Sequence, residues 1–266
     1  YIVVFDNGGR EIKAYLRNVK LWEYATAYPI KTAKINGGGY VAVVSQETGY
    51  NDKVEIIGNS GELMYKWLLS ENYIIDIDLS PDSKHLAAAV LRPDSAEVTC
   101  GVVIVDINGE RVKGEAKFCG NLIFSLKYQK NSSIIALGGD GLCSVSQKGE
   151  KEWFVDFEGK QLEGFKLGFN TGNVLVFAAD QNESIVQIIG KKGKKTGEYI
   201  SEEKIKDVDI FENMITAVQS RSLTVLNQSG RPLLKAPLEK DIKKAVILSK
   251  HRIAAIGNNN IEIIKP

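Results

Sequence analysis

The sequence predicts an all-β fold, and within that class a β-propeller, on three observations. A strand–turn–strand unit with glycine in its turn recurs six times along 266 residues. Two further β-rich runs separate each unit from the next. No stretch of ten or more residues carries capped 3.6-residue periodicity, so helices are expected to be scarce.

The recurring hairpins read IVVFDNGGREIKAYL, VEIIGNSGELMYKWL, VVIVDINGERVKGEA, CSVSQKGEKEWFVDF, IVQIIGKKGKKTGEY and LTVLNQSGRPLLKAP. Their turn glycines are Gly9, Gly61, Gly109, Gly149, Gly193 and Gly230, spaced 52, 48, 40, 44 and 37 residues apart. A four-stranded propeller blade occupies a repeat of that size. Tight hairpins favour positive φ, which glycine adopts without a Cβ penalty, so the six glycines are predicted to be structural turn residues.

Between the hairpins come first strands at Ile30 to Ile35, Ile74 to Leu79, Leu122 to Tyr128, Leu162 to Phe169, Ile205 to Phe211 and Ile242 to Leu248. Second strands follow, each with a small residue near its middle: Ala42, Ala87, Ala136, Ala178, Ala217 and Ala254. Near-continuous apolar strands are expected where both faces are covered, and alanine lets sheets approach closely. A common register is predicted for these alanines. Third strands complete the pattern, the last at Ile261 to Lys265.

Six four-stranded repeats are visible, with seven blades if N-terminal strands were trimmed. A single domain over residues 1–266 is expected, closed by the N-terminal hairpin 2–16 against the C-terminal repeat 242–265, so that no sheet edge stays free. Tyr1 in place of Met reads as the start of a fragment or processed product, with any signal or anchor upstream.

Composition narrows function. Lys plus Arg number 34 against 33 Asp plus Glu, a net charge of +1, which argues against general nucleic-acid binding. The longest apolar runs are about six residues against the roughly 20 of a membrane helix, so any membrane attachment is expected through an anchor outside this chain. Two histidines and three cysteines without a CxxC pair make zinc sites and dense disulfides poor expectations.

Ser80-Pro81-Asp82-Ser83-Lys84-His85-Leu86-Ala87, after Ile74 to Leu79, resembles the SPDGK-x-LA turn of WD40-like and TolB-like propeller repeats, with Ser83 where glycine is usual. Over its whole length, the hairpin pattern together with GGGYVAVVS and SPDSKHLAAAV resembles an uncharacterised, membrane-anchored extracytoplasmic propeller family of Gram-positive bacteria. That resemblance implies an extracytoplasmic location behind an N-terminal anchor, with a cytoplasmic one left open.

Candidate site residues are sparse. Asp76 and Asp78 in IIDIDLS, and Asp207 and Asp209 in IKDVDIF, occupy matching positions, and residues two apart share a strand face. Four carboxylates on a central channel would suit a hard cation such as calcium. The alternative is that they accept backbone N–H groups in adjoining turns. The other first strands offer Lys34, Lys127, Glu163 and Lys243, which is no consistent oxygen set.

His85 and His251 both precede a second strand and read as equivalent turn residues. The basic tip Lys191-Lys192-Gly193-Lys194-Lys195 reads as an anion-binding patch or a solvated loop. Trp67 and Trp153 fall on outer strands and Trp22 after one, where they serve an interaction surface or pack between blades. The quinone-binding propellers that GEKEWFVDF resembles repeat their tryptophan, and this chain does not. Cys100 and Cys119 lie near each other at the open end of one hairpin, offset in register, and free thiols are expected, with Cys143 a third.

The expected function is a non-enzymatic interaction or scaffold module without cofactor, its partner a protein or cell-envelope component, with no nucleic acid. The alternative is a six-bladed hydrolase or lactonase holding a channel metal through the aspartate pairs.

Overall fold

A computed structural model describes residues 1–93, 98–109, 111–118, 122–179 and 182–266, and within them every regular element is a β-strand. The strands form seven sheets of consecutive antiparallel strands. The first has three, β1 (Ile2–Phe5), β2 (Glu11–Leu16) and β3 (Val19–Ala25). The second holds β4 (Ile30–Ile35), β5 (Val41–Glu47), β6 (Tyr50–Ile57) and β7 (Leu63–Leu69). The third holds β8 (Tyr73–Leu79), β9 (His85–Pro93), β10 (Val98–Asp106) and β11 (Arg111–Phe118). The fourth holds β12 (Ile123–Tyr128), β13 (Ile134–Gly138), β14 (Gly141–Val145) and β15 (Lys151–Asp156). β16 (Leu162–Leu167), β17 (Asn173–Ala178), β18 (Ser184–Ile189) and β19 (Lys195–Ser201) make the fifth. β20 (Asp207–Phe211), β21 (Met214–Val218), β22 (Ser222–Asn227) and β23 (Pro232–Pro237) make the sixth. The seventh has three strands, β24 (Ile242–Ser249), β25 (Arg252–Gly257) and β26 (Ile261–Ile264).

Two compact units divide these sheets, Tyr1–Phe154 and Val155–Pro266. In each unit the core lies between successive sheets rather than at one centre. In the first unit, Ile12 and Ala14 of β2 pack with Ile30, Val41 and Val43. Val54 and Ile56 of β6 pack with Ile77, Leu86 and Val103, and Ala87, Val102 and Ile104 pack with Leu126, Ala136 and Cys143. In the second unit, Val174, Val176 and Ile188 meet Val208, Ile215 and Ala217, while Leu223 and Val225 meet Ile242, Ala245 and Ala255. The second, third and sixth sheets are thus apolar on both faces, which is why their middle strands read as continuous apolar runs.

Several expectations need correction. The N-terminal hairpin 2–16 does not supply the missing strand of repeat 242–265: Glu11–Leu16 already has β1 on one edge and β3 on the other, and a strand has only two edges. Among the described residues the repeats are seven sheets, the larger of the two expected numbers, five with the expected four strands and two with three.

The alanines also do not share one register. Ala42 and Ala87 face the following sheet, Ala136 and Ala217 face the preceding one, and Ala178 ends β17 half-buried. A one-residue offset reverses the face a side chain takes, so small size alone does not fix direction.

Of the six turn glycines, Gly61, Gly149, Gly193 and Gly230 take positive φ, between 74° and 94°. Gly9 and Gly109 do not. In the first hairpin the left-handed residue is Gly8, at φ 84°, and Gly9 donates to the Asp6 carbonyl at 2.9 Å. At Gly109 the Asp106 carboxylate does the work, accepting the N–H groups of Asn108 at 3.1 Å and Gly109 at 3.0 Å. Ser83, in glycine's place, adopts φ 59° while its hydroxyl accepts from Asn36 Nδ2 at 2.8 Å.

One irregularity recurs in the last strand of five sheets, a one-residue bulge against the preceding strand. The extra residues are Leu21 in β3, Met64 in β7, Thr196 in β19 and Leu233 in β23, and the third sheet places Lys113 of β11 in the same position. Next to two of these bulges the backbone meets a hairpin of the following sheet. A Cβ on Gly149 would fall well under 3.0 Å from the Glu115 backbone, and one on Gly230 equally close to the Glu198 backbone.

Candidate functional site

Strand alternation sends Asp76 and Asp78 of β8 to one face, toward the first strand of the next sheet. Asp76 Oδ2 accepts the Leu126 N–H at 2.7 Å and the Lys34 ammonium at 2.6 Å. Asp78 Oδ2 accepts the Tyr128 N–H at 2.7 Å, with Lys127 Nζ 3.6 Å away. The second unit repeats the arrangement. Asp207 accepts from the Ala245 N–H at 3.0 Å, Asp209 from the Ile247 N–H at 2.8 Å, and Lys166 Nζ lies 2.9 Å from Asp209.

These aspartates therefore clamp a neighbouring strand, not an adjoining turn. The donors are two apart, as are the acceptors, so each strand offers its backbone N–H groups at the spacing the carboxylates need. Burial pushes the Asp78 carboxyl up from the ordinary value, against the pull of Lys127 and the Tyr128 N–H. Asp207 is raised for the same reason, opposed by the Ala245 N–H. Among the described residues no three His, Cys, Asp or Glu side chains gather into a set that could hold a metal ion. The remaining first-strand charges are likewise engaged where partners are seen: Lys34 and Lys127 as above, and Glu163 with Lys204 Nζ at 2.8 Å.

Asp52, buried in β6, does the same work. It accepts the Ile74 N–H at 2.7 Å and Lys31 Nζ at 2.6 Å. Beside it, Lys53 is 1% exposed and lies 3.2 Å from both Glu47 and Glu55, and Tyr24 of β3 donates to Glu55 at 3.2 Å. Desolvation, then the Glu55 charge, pushes the Tyr24 phenol up to about 12. The run NDKVEII held the signal, since three charges in a strand otherwise apolar must find partners when buried.

The two histidines are not equivalent. His85 opens β9 and is buried, whereas His251 lies exposed in the turn before β25. His85 Nε2 is 2.8 Å from Lys113 Nζ, and its Nδ1 is 3.7 Å from Asp82 Oδ1. Desolvation, and then the Lys113 charge, pushes the imidazole below its ordinary value, against Asp82 and Asp106.

Trp22 lies within β3, the last strand of its sheet, rather than in a segment after an outer strand. Its indole donates to the Asn59 carbonyl at 3.1 Å and its ring covers Gly61. Trp67 packs against the cluster between the second and third sheets, and Trp153 belongs to β15. In the basic tip, Lys191 donates to Asn170 at 3.0 Å and Lys195 pairs with Glu198 at 2.9 Å.

Cys100 and Cys143 are free and buried. Cys100 stands opposite Phe118, one bulge along from the simple hairpin register, and Cys119 lies outside the described residues, as does Glu110 of the preceding turn. Burial raises both thiols, that of Cys143 to about 12.

Similar proteins bear on the fold. Dihydro-heme d1 dehydrogenase NirN in complex with DHE matches with a TM-score of 0.69 at 11% identity, over 99% of this chain and 60% of that one. BBS1N in complex with ARL6DN matches with a TM-score of 0.61 at 14% identity, over 99% and 86%. BamB from Moraxella catarrhalis matches with a TM-score of 0.51 at 10% identity, over 98% and 92%. The chain spans about three fifths of the length of NirN. All three are β-propellers, and with its antiparallel sheets this chain has the β-propeller fold. No curated protein is significantly similar in sequence. A family model, the family of unknown function DUF5711, matches residues 1–265, and the chain belongs to that family.

Proposed function

We propose that the chain is a non-enzymatic protein-binding or scaffold module, carried at the outer face of a bacterial membrane by an anchor outside these residues, with a protein of the cell envelope as partner. The observation that carries this is the fate of its aspartates. Asp52, Asp76, Asp78, Asp207 and Asp209 each accept a backbone N–H from another strand, which makes them parts of the scaffold. A carboxylate so engaged is a poor general base and a poor metal ligand, because either role forfeits the hydrogen bond that justifies its burial. A protein partner accords with the likeness to BBS1N, which was solved in complex with ARL6DN. The location rests on the resemblance carried by GGGYVAVVS, SPDSKHLAAAV and the glycine hairpins.

Two measurements test the proposal. Metal analysis of the purified chain, dialysed without chelator, is expected to give far less than one equivalent of any divalent ion. A stoichiometric metal lost on Asp76→Asn or Asp209→Asn would overturn the scaffold reading in favour of a metal-dependent hydrolase. Protease added to intact cells is expected to digest the propeller of the natural protein. Its survival there, with digestion after lysis, would overturn the location.

A further inference from the structure

Lys113 is the extra residue of the bulge in β11, and its ammonium reaches two other elements. Nζ lies 2.8 Å from His85 Nε2 at the start of β9 and 3.4 Å from Gln147 Oε1. Gln147 sits in the turn between β14 and β15, the turn whose Gly149 lies against the backbone of Glu115. The contact therefore joins the third sheet to the fourth. The repeat does not demand a cation there: the matching bulge residues Met64 and Leu233 are apolar, and the Thr196 hydroxyl donates to its own sheet, to the Ile188 carbonyl at 3.2 Å.

An ammonium can only donate, so His85 Nε2 must accept. That places the ring proton on Nδ1 and makes the imidazole neutral. Nδ1 is buried and has no hydrogen-bond partner, with Asp82 Oδ1 3.7 Å away. The groups acting on the ring are Lys113 from β11, Asp82 from the turn before β9, and Asp106, which stands opposite His85 in β10.

We propose that His85 and Lys113 form a proton-operated latch between the third and fourth sheets. When solvent delivers a second proton to the ring, at Nε2, the acceptor lone pair is gone. Two cations cannot stay at 2.8 Å, so Lys113 swings out to water and its bond to Gln147 is lost. The imidazolium meanwhile gains Asp82 as its ion partner. Because burial and Lys113 both hold the imidazole below its ordinary value, the latch is closed at neutral pH and opens on acidification.

The test uses the 266-residue chain. The His85 ring is followed by NMR through a pH titration, and exchange of the Ser146 and Gly149 amides, which close the β14–β15 turn, is measured at pH 7.5 and pH 5 after correction for intrinsic rates. Exchange is expected to be about five-fold or more faster at pH 5. The Val225 amide, in another sheet, should not follow. In Lys113→Met, an exposed site that leaves folding intact, the His85 midpoint should rise and the pH difference in exchange should vanish. Equal exchange at both pH values, equal acceleration at Val225, or an unmoved His85 midpoint in Lys113→Met would each overturn the latch.

Discussion

Asp76 is bonded to Leu126 across a gap of 50 residues in sequence, the Leu126 N–H donating to Asp76 Oδ2 at 2.7 Å. Sheets packed face to face share apolar surface, which is indifferent to sliding by one residue. A carboxylate on a particular N–H is not, and two such bonds per pair, at 76 and 78 or at 207 and 209, set the register of one first strand against the next. Removing the acceptor strands a buried donor, so Asp76→Ala should cost about 1–3 kcal/mol. Asp209→Ala should cost a similar amount, since Ile247 loses its acceptor. Asp76→Asn, which keeps a carbonyl, should cost less. Urea unfolding of the three variants checks the order, and Asn equal to Ala would show that charge alone matters.

Gly149 and Gly230 combine positive φ with a backbone neighbour where Cβ would stand. Strain at such a φ costs about 1–3 kcal/mol before any clash is added. Gly149→Ala and Gly230→Ala should therefore lower stability by more than that lower bound. Gly109→Ala should be mild, because φ is ordinary there and the nearest atoms belong to the Asp106 side chain, which can move. Denaturation midpoints of the three decide it; a Gly109 variant as damaged as the Gly149 one contradicts the geometry.

Asp78 supplies a pH dependence whose direction is fixed by its raised carboxyl. The folded state holds this proton more tightly than the unfolded chain does. Its contribution is fully present below the ordinary carboxylate value and is lost as pH rises through the raised folded value. Stability of the parent relative to Asp78→Asn should thus fall as pH climbs from about 3.9 through the weakly acidic range. Melting curves of both proteins at stepped pH measure this, and a difference that is flat or rises with pH refutes it.

Native Cys100 and Cys143 should resist a thiol reagent at pH 8, being buried and held mainly as thiols. In denaturant without reductant all three cysteines should label. A single label, on Cys143, would mean that Cys100 and Cys119 are bridged.

The repeat was legible in sequence because its causes are local. Alternating apolar runs, turn residues at near-regular spacing and the absence of capped helical periodicity each depend on residues within a few positions of one another. All six expected first strands begin within two residues of those observed, as at Ile30–Ile35 and Leu162–Leu167. The aspartate pairs were visible as pairs for the same reason. Their role was not, since the donor that decides between metal ligand and clamp lies 38 or 50 residues away in chain.

Long-range relations account for the rest. Whether β2 could complete the last sheet depended on which strands hold its two edges. Whether Ala42 and Ala136 face alike depended on registers that a single bulge shifts. Whether His85 is a turn residue or the acceptor for Lys113 depended on an extra residue in β11 that re-aims one lysine. Local composition specifies the strand and its turn; the partners of buried polar groups are chosen only when strands distant in sequence come within hydrogen-bond reach, because that choice is made by geometry of a few tenths of an ångström rather than by residue type.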